Sequence, residues 1–341
     1  MKFKFLLFFV PIIGLGLMYK QSQKKTLEHD FQRKYIKSNS LKIAQTISNL
    51  LVDGLFLDDS LLWVNSRSKI IAIDKGGKIF KNIPAKKGEN NPIVNFYINQ
   101  DSLYFYQGNS STVSISSIKN NALQYNSVKD IRFNFPIIDF AKSSNLLVFL
   151  ALQNNASFLV KSADLSGKNI QEFSTSFGNI EGGDMIYSGK LISSFGKTLF
   201  IPFYTDSVVI FNNNELKTSY ASFIDRVNQK VEYNLNGDRY TLKKGVQILR
   251  IGASIVKDYL FVSSFVKSKN ESMEAFRKNT TIDVYDSNTF SYLFSFQIPN
   301  YHNLRIGDFS ISSNMQLAAK YNDTVVIYDI KDLLNNNQDA Q

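Results

Sequence analysis

The stretch Thr324-Val-Val-Ile-Tyr-Asp329 decides the fold, because a close copy of it, Thr281-Ile-Asp-Val-Tyr-Asp286, occurs earlier in the chain. Both copies are short runs of β-branched and aromatic residues that end in an acidic residue, a composition typical of a strand followed by a tight turn. Four related runs occupy residues 70–74, 113–117, 158–161 and 208–211. The sequence therefore contains six versions of one strand.

Each version is part of a larger repeat. A second apolar run precedes it across a polar turn, as Met315-Gln-Leu-Ala318 does in the last unit, and a third element lies before that run. In the fifth unit this third element is assigned to Ile248-Leu-Arg-Ile251, and a fourth strand follows at Ser291–Phe296. Four strands that recur six times, at intervals of about 40 to 60 residues, predict an all-β fold, a six-bladed β-propeller. A β-sandwich or two small β domains is the alternative.

The last repeat also indicates how such a ring closes. After Asp329 the chain runs into Lys331-Asp-Leu-Leu-Asn-Asn-Asn, which leaves no room for a fourth strand in the sixth unit. Leu41-Lys-Ile-Ala-Gln-Thr-Ile47, ahead of the first unit, has the length and alternation to supply it. We therefore expect this N-terminal strand to complete the last blade and to leave no unpaired edge in the ring.

The region 40–332 resembles the TolB-like six-bladed propellers, in particular the exported six-bladed propeller proteins of Bacteroidetes-type bacteria. The repeat strands Thr281–Asp286 and Thr324–Asp329 carry the resemblance. It implies an exported ring of six blades, but propellers serve as enzymes, binders and scaffolds alike, so it implies no particular ligand. Many of these proteins carry a lipid-anchor cysteine, whereas this sequence contains no Cys.

Composition limits the chemistry. The 341 residues are 44% hydrophobic and 13% aromatic, enough to bury a sizeable core. Two His and no Cys exclude a cysteine nucleophile and metal sites built from clustered thiolates and imidazoles. The net charge of +10 is spread along the chain and not concentrated in runs with aromatics, which argues against a nucleic-acid partner. Attraction to an anionic membrane surface or an acidic polymer is the milder expectation.

The N-terminus is typical of an exported protein. Lys2 and Lys4 precede an apolar run over residues 5–18, which is shorter than the roughly 20 residues that a membrane span needs. Residues 1–19 are therefore predicted to be a signal peptide or signal anchor. More positive charge follows the run than precedes it, and this favours the opposite, cytoplasmic orientation as an alternative.

The flanks of the ring are assigned by composition. Residues 20–39 are interpreted as a polar tether, with a partner-binding helix as the alternative because Leu27, Phe31 and Tyr35 have a weakly helical spacing. Residues 333–341 are predicted to be a disordered tail.

A channel site follows from the expected ring. The innermost strand of each blade lines the central channel of a propeller, and counting along the repeats places a polar residue near the start of each one: Asp53, Asn95, Asp139, Lys190, Arg250 and Asp308. Oxygens of Asp and Asn would suit a hard cation such as Ca²⁺, whereas Arg250 and Lys190 would pair with a charged small molecule. Alternatively, the six residues pair with one another and fix the blade register.

A catalytic hypothesis rests on three residues. His302 lies in Tyr301-His-Asn-Leu-Arg305, on the connection into the sixth unit, and Asp308 follows it closely. With Arg305 and Asp308 nearby, His302 would serve as a general base, although a lone loop histidine is more often a surface residue. The sequence has no nucleophile elbow, no P-loop, no dinucleotide fingerprint and no calcium loop.

Three functions follow. The first is a non-catalytic binding or scaffold protein of the bacterial envelope, periplasmic and membrane-tethered, which binds a protein partner or a small ligand. The second is a hydrolase or lyase with its site at the channel mouth. The third is a cytoplasmic propeller anchored with the reverse topology. Two insertions in the repeat, at 219–245 and 267–280, are the candidate partner-binding loops, and a hairpin is expected about Asn236-Gly237.

Overall fold

The computed structural model describes most of the chain from residue 30 onward. The described residues are 30–36, 41–66, 69–84, 92–99, 102–108, 110–118, 129–153, 157–173, 188–194, 196–213, 215–227, 231–236, 239–243 and 245–338. Among them no helix has the length and apolar character to cross a membrane. The predicted signal or anchor segment, 1–19, lies outside the described residues.

Six four-stranded antiparallel sheets form the six blades. Blades 1 to 3 contain β2 (Gly54–Leu57), β3 (Leu61–Ser66), β4 (Lys69–Asp74), β5 (Ile79–Pro84), β6 (Ile93–Asn99), β7 (Ser102–Gln107), β8 (Thr112–Ser117), β9 (Lys129–Arg132), β10 (Ile137–Ser143), β11 (Leu146–Gln153), β12 (Ser157–Asp164) and β13 (Gln171–Glu172). Blades 4 and 5 contain β14 (Gly189–Ser194), β15 (Lys197–Pro202), β16 (Ser207–Asn212), β17 (Lys217–Ser222), β20 (Ala253–Val256), β21 (Tyr259–Ser264), β22 (Asn279–Asp286) and β23 (Tyr292–Pro299).

Blade 6 combines both ends of the propeller. It contains β24 (Asp308–Ile311), β25 (Gln316–Tyr321), β26 (Thr324–Asp329) and, as its outermost strand, β1 (Lys42–Ile47). β1 pairs antiparallel with β26, from Lys42 opposite Asp329 to Ile47 opposite Val325. The expected six-bladed ring and its closure by the N-terminal strand are thus confirmed.

The blades are held together by six separate apolar cores, one between each pair of neighbours. β3 illustrates why: Leu62 and Val64 pack in the core shared with blade 6, whereas Trp63 packs in the core shared with blade 2. Both faces of a middle strand are therefore buried. This explains why the middle strands of the sequence are nearly continuous apolar runs and do not alternate with polar residues.

Two additions lie on the connections of blade 5. The hairpin of β18 (Tyr233–Asn236) and β19 (Arg239–Leu242) lies between blades 4 and 5, where the turn at Asn236-Gly237 is expected. The short helix α1 (Met273–Lys278) joins β21 to β22. Because strands alternate in direction, the connections into each innermost strand and those between second and third strands lie at the same end of the ring, which we call the mouth end.

Two assignments at the flanks of the ring need correction. Residues 30–36 are not a free tether or a helix, because they run extended along β23, where Tyr35 pairs with Ser295. The predicted disordered tail, 333–341, is helical over much of its length: α2 (Lys331–Gln338) buries Leu333 and Leu334 in the core between blades 5 and 6. In both segments apolar side chains pack against a surface of the propeller, and the composition of the segment alone does not predict this contact.

A third correction concerns blade 5. Its innermost strand is Ala253–Val256 and not Ile248–Ile251. The strand predicted from the sequence therefore begins five residues too early. The preceding stretch instead continues the connection from the hairpin: Leu249 donates its N–H to Phe203 O, and Phe265 donates its N–H to Leu249 O. A long insertion immediately before a strand removed the spacing signal on which the assignment depended.

The closing register gives the first prediction. The chain has no native Cys, so the double variant Gln45→Cys/Ile327→Cys, which joins residues directly opposite on β1 and β26, should form a disulfide on mild oxidation. Free-thiol labelling followed by mass spectrometry measures this. The matched pair Thr46→Cys/Ile327→Cys should keep its free thiols, because Thr46 lies opposite Val326 and points to the other face. Preferential oxidation of this second pair would contradict the register.

Candidate functional site

The innermost strands β2, β6, β10, β14, β20 and β24 surround a central channel of about 570 Å³. Five of the six predicted ring residues line it: Asp53, Asn95, Asp139, Lys190 and Asp308. They lie between one residue before the strand and its third residue, and therefore near the mouth end. The five residues thus line the channel in blades 1, 2, 3, 4 and 6, and their binding of a ligand stays a prediction.

A repeated β-bulge shapes the wall of the mouth. In blade 2 the pairing register shifts between Ile93 and Asn95, and in blade 3 it shifts between Ile137 and Asp139. The extra residues, Val94 and Ile138, are 48% and 36% exposed, and both line the channel. The bulge thus sends one apolar side chain toward solvent and the next, polar one into the channel, an effect for which bulges near binding sites are known.

Asn95 and Asp139 form a polar bridge between neighbouring blades. Asn95 Nδ2 donates to Asp139 Oδ1 at 2.5 Å, and the backbone N–H of Leu191, in blade 4, donates to Asp139 Oδ2 at 2.9 Å. Burial raises the pKa of the Asp139 carboxyl, although the hydrogen bonds from Leu191, Asn95 and Phe140 and the charge of Lys190 act in the opposite direction. Asp139 therefore joins three consecutive blades by bonds to its two oxygens.

Lys190 and Asp308 form an ion pair that passes over Gly252, a residue without a side chain. Lys190 Nζ lies 2.9 Å from Asp308 Oδ1, and the two residues belong to blades 4 and 6. Gly252, in blade 5 between them, leaves the room: a Cβ at this position would approach Asp308 Oδ1 to 3.0 Å. The two side chains are 25% and 17% exposed, and the short ion pair fixes the position of their charges in the channel wall.

Asp53 completes the described polar wall in blade 1. Its backbone N–H donates to Asn65 O at 2.9 Å, and its carbonyl oxygen accepts a bond from Lys320 Nζ at 3.2 Å. The first blade is thereby tied to the sixth at the mouth. The Asp53 carboxylate lies in the channel lining with the other polar residues.

Arg250 does not belong to the channel ring. It is completely buried and pairs with Asp225 at 2.6 Å, and its guanidinium lies 4.3 Å from the centre of the Phe223 ring. The innermost strand of blade 5 begins three residues later, so the channel wall there consists of Ile251, Ala253, Ser254 and Ile255. The misplaced strand in the sequence interpretation is the reason for this error.

The three residues of the catalytic hypothesis have separate partners. His302 and Asn303 have positive φ and form a tight turn, in which the exposed His302 ring stacks on Tyr301 at 4.3 Å. Arg305 Nη2 donates to Phe276 O at 2.6 Å, and Asp308 pairs with Lys190. The structure therefore does not direct these three side chains to a common point. The tight turn holds His302 and Asn303 at positive φ, and a catalytic role of His302 stays a hypothesis.

The predicted Ca²⁺ site would require several carboxylate or amide oxygens to converge in the channel. Among the described residues no group of three or more His, Asp or Glu side chains is arranged to hold a metal. Asp139 is engaged by N–H donors, and Asp308 is engaged by a cation. Calcium binding at the channel stays a prediction.

An apolar rim at the mouth end is the feature that the sequence interpretation missed. An exposed large apolar residue lies shortly before the innermost strand in blades 1, 5 and 6, and at its second residue in blades 2 and 3: Leu51, Ile248, Leu304, Val94 and Ile138. We call this set the apolar rim. The corresponding stretch ahead of blade 4, residues 174–187, lies outside the described residues. The parallel motifs Ile93-Val-Asn-Phe96 and Ile137-Ile-Asp-Phe140 were the available signal for two of the five.

Comparison with known proteins supports the fold. No protein-family model matches the sequence, and no curated protein matches it. The WD40 domain of Pan2 from Neurospora crassa has a TM-score of 0.53 at 10% identity, over 86% of this chain and 97% of that chain. Streptogramin B lyase has a TM-score of 0.50 at 11% identity, over 84% of this chain and 96% of that chain. At such identities the likeness concerns the β-propeller fold alone, and the TolB-like resemblance stays a prediction.

The raised pKa of Asp139 gives a prediction about stability. The native carboxyl keeps its proton to higher pH than the unfolded one, whose pKa is about 3.9, so stability should fall as pH rises through the native pKa. Asp139→Asn cannot titrate. The difference in free energy of unfolding, wild type minus Asp139→Asn, should therefore decrease with pH in this window, by at most about 1.4 kcal/mol per pH unit. Urea unfolding from pH 4 to pH 8 measures it.

A difference that increases with pH would show that hydrogen bonds, and not burial, dominate this carboxyl. Asp164→Asn is a suitable control, because Asp164 is exposed and its pKa is lowered to about 2 by hydrogen bonds from Ser166 and Lys168. Its difference curve should stay nearly flat from pH 4 to pH 8, because its rise with pH lies between the native pKa of about 2 and the unfolded pKa of about 3.9.

Proposed function

We propose that the protein is a non-catalytic binding protein of the bacterial envelope, and that it holds a protein partner on the mouth end of its ring. The apolar rim carries this proposal. Exposed apolar residues scattered singly over a surface are normal, but a recurrent set at one end of a molecule is typical of an interaction site. Here such a residue lies within five residues before the innermost strand in three blades and at the second residue of that strand in two others.

The polar channel inside the rim supports binding better than catalysis. Asn95 with Asp139 and Lys190 with Asp308 are bonded to each other, so their charges and dipoles are fixed in position. Fixed polar groups inside an apolar rim suit a protein segment that lays apolar side chains on the rim and directs a polar group into the channel. A small ligand with both kinds of surface is the alternative occupant.

The additions around blade 5 enlarge the same end. The hairpin β18–β19 and the helix α1 both belong to connections at the mouth end, where long loops on a rigid scaffold are often used for recognition. They correspond to the insertions that break the repeat. A partner that contacts the rim would also be within reach of one or both.

Location in the envelope is supported by the sequence. Lys2 and Lys4 with the apolar run that follows favour export, and the TolB-like resemblance implies the same compartment. In this proposal residues 1–19 act as a signal peptide or membrane anchor. The alternative function, a hydrolase or lyase, needs His302, Arg305 and Asp308 to act together, and their separate partners give it no support.

The test compares a rim variant with a matched control. Full-length tagged wild type, purified from gently solubilised native membranes, should bring down a partner in stoichiometric amount. The double variant Val94→Asp/Ile138→Asp should lose this partner at least tenfold, because charges would replace the apolar contacts. Tyr220→Asp, an equally exposed site on the outermost strand of blade 4, should retain it.

Quantitative mass spectrometry of the three samples is the measurement. The proposal fails if the rim variant keeps its partner while remaining folded, since docking would then occur elsewhere. It also fails if the wild type is recovered without any stoichiometric protein, or if the chain is absent from the membrane fraction.

A further inference from the structure

The N-terminal segment 30–36 is bound to blade 5 as a peptide is bound to a sheet edge. Ser295, on the outermost strand β23, donates its N–H to Lys34 O and accepts a bond from Ile36 N, both at 2.9 Å. The residues Phe31, Arg33 and Tyr35 face the propeller, whereas Gln32 and Lys34 face solvent. This is strand addition, in which backbone bonds give affinity and alternate side chains give selectivity.

Arg33 is the side chain that the site selects. Its guanidinium is completely buried and makes two parallel bonds to Asp283, Nε to Oδ1 at 2.8 Å and Nη2 to Oδ2 at 3.1 Å. Nη2 also donates to Ser264 Oγ at 2.7 Å, and Nη1 donates to Val266 O at 2.8 Å. A lysine ammonium cannot reproduce this planar fork, so the pocket is specific for arginine.

Asn270 binds the backbone of the same residue. It accepts a bond from Arg33 N at 3.1 Å and donates one to Arg33 O at 2.8 Å. The side chain of Phe31 packs on an apolar cluster of Val227, Leu249 and Val266. Recognition thus covers an extended segment of the pattern Phe-x-Arg-x-Tyr.

The pocket is organised by the propeller itself. Ser295 Oγ donates to Asp283 Oδ1 at 2.6 Å, and Gln297 Nε2 donates to Glu271 Oε1 at 2.6 Å. Both donors belong to β23, not to the bound segment. The carboxylates of Asp283 and Glu271 therefore have hydrogen-bond donors within the propeller itself. A site that is organised without its ligand is what a preformed peptide-binding pocket requires.

Charge complementarity requires a cation in this pocket. Asp225 is paired with Arg250 at 2.6 Å, which leaves Asp283 and Glu271 facing Arg33. Glu271 Oε2 accepts no hydrogen bond from the described residues and lies 3.8 Å from Arg33 Nη1. An empty pocket would leave the buried Asp283 carboxylate without its guanidinium partner, so it should favour a matching arginine segment.

We infer that blade 5 carries a peptide-binding site for an extended, arginine-bearing segment, and that residues 30–36 are its ligand in cis. The same pattern supplied by another molecule can occupy the site when the cis segment is loosened. This site is separate from the channel, and it lies beside the apolar rim, because Leu249 follows the rim residue Ile248 and Asn270 and Glu271 belong to the mouth-end insertion. A partner carrying the pattern would release the N-terminal segment by competition.

The test uses a fluorescent peptide with the sequence of residues 29–37 and the full-length protein in mild detergent. The Arg33→Ala protein should bind the peptide at least tenfold more tightly than wild type, in which the cis segment competes. Lys34→Ala, which changes an exposed side chain of the same segment, should behave as wild type. Peptides with Lys or Ala in place of Arg33 should bind the Arg33→Ala protein at least tenfold more weakly.

A second variant keeps the test decisive if Arg33→Ala does not fold. Ile36→Pro removes the bond from Ile36 N to Ser295 O and leaves the arginine pocket intact. It should bind the native peptide more tightly than wild type does, and it should discriminate against the Ala peptide. The inference is overturned if the folded variants bind the Arg and Ala peptides equally, or bind the native peptide no better than wild type.

Discussion

The pairing of β1 with β26 is the constraint on which the rest of the structure depends. A ring of blades is closed only if every blade packs against a neighbour on both faces. Here the last blade receives its fourth strand from the N-terminus, so that the chain segments 42–47 and 324–329 close the ring between blades 6 and 1. Ile47, from the closing strand, then takes part in the core between these two blades.

Closure of the ring also positions the polar residues of the channel. Because six innermost strands begin at one end, a single polar residue near the start of a strand becomes part of a circle of polar groups. Two bulges turn Val94 and Ile138 outward beside it, and Gly252 leaves the space in which Lys190 reaches Asp308. The mouth thus combines a fixed polar interior with an apolar rim. The arginine pocket on blade 5 depends on a different interaction, a buried ion pair between Arg33 and Asp283.

Much of the fold was predictable because each repeat carries its own signal. Short apolar runs between polar turns predicted the middle strands, and the missing last strand predicted the role of β1. The predictions failed where the signal came from outside the segment. The insertion before blade 5 displaced the count and put Arg250 in the channel, although it pairs with Asp225. The most deeply buried residue of the segment 30–36 is the charged Arg33, so the alternation of Phe31, Arg33 and Tyr35 did not appear as an apolar strand pattern before the acidic partners were known.

Part of the candidate site was also predictable from the sequence. Position along the repeat predicted five channel residues, since a strand's start determines which end of the ring it faces. It could not predict the exposure of Val94 and Ile138, because only the bulge distinguishes these residues from core residues of the same apolar run. Nor could it separate His302 from catalysis, since the turn that holds this residue at positive φ depends on backbone geometry.

The most direct test of this account is hydrogen exchange of the full-length protein, resolved by peptide and followed at increasing, sub-denaturing urea. If ring closure is the governing constraint, the amides of β1 should be as strongly protected as those of β26 and should become exposed together with the innermost strands in one cooperative opening. If instead β1 exchanges like an unstructured peptide while β26 and the channel strands stay protected, the ring does not depend on its closing strand and the central claim is wrong.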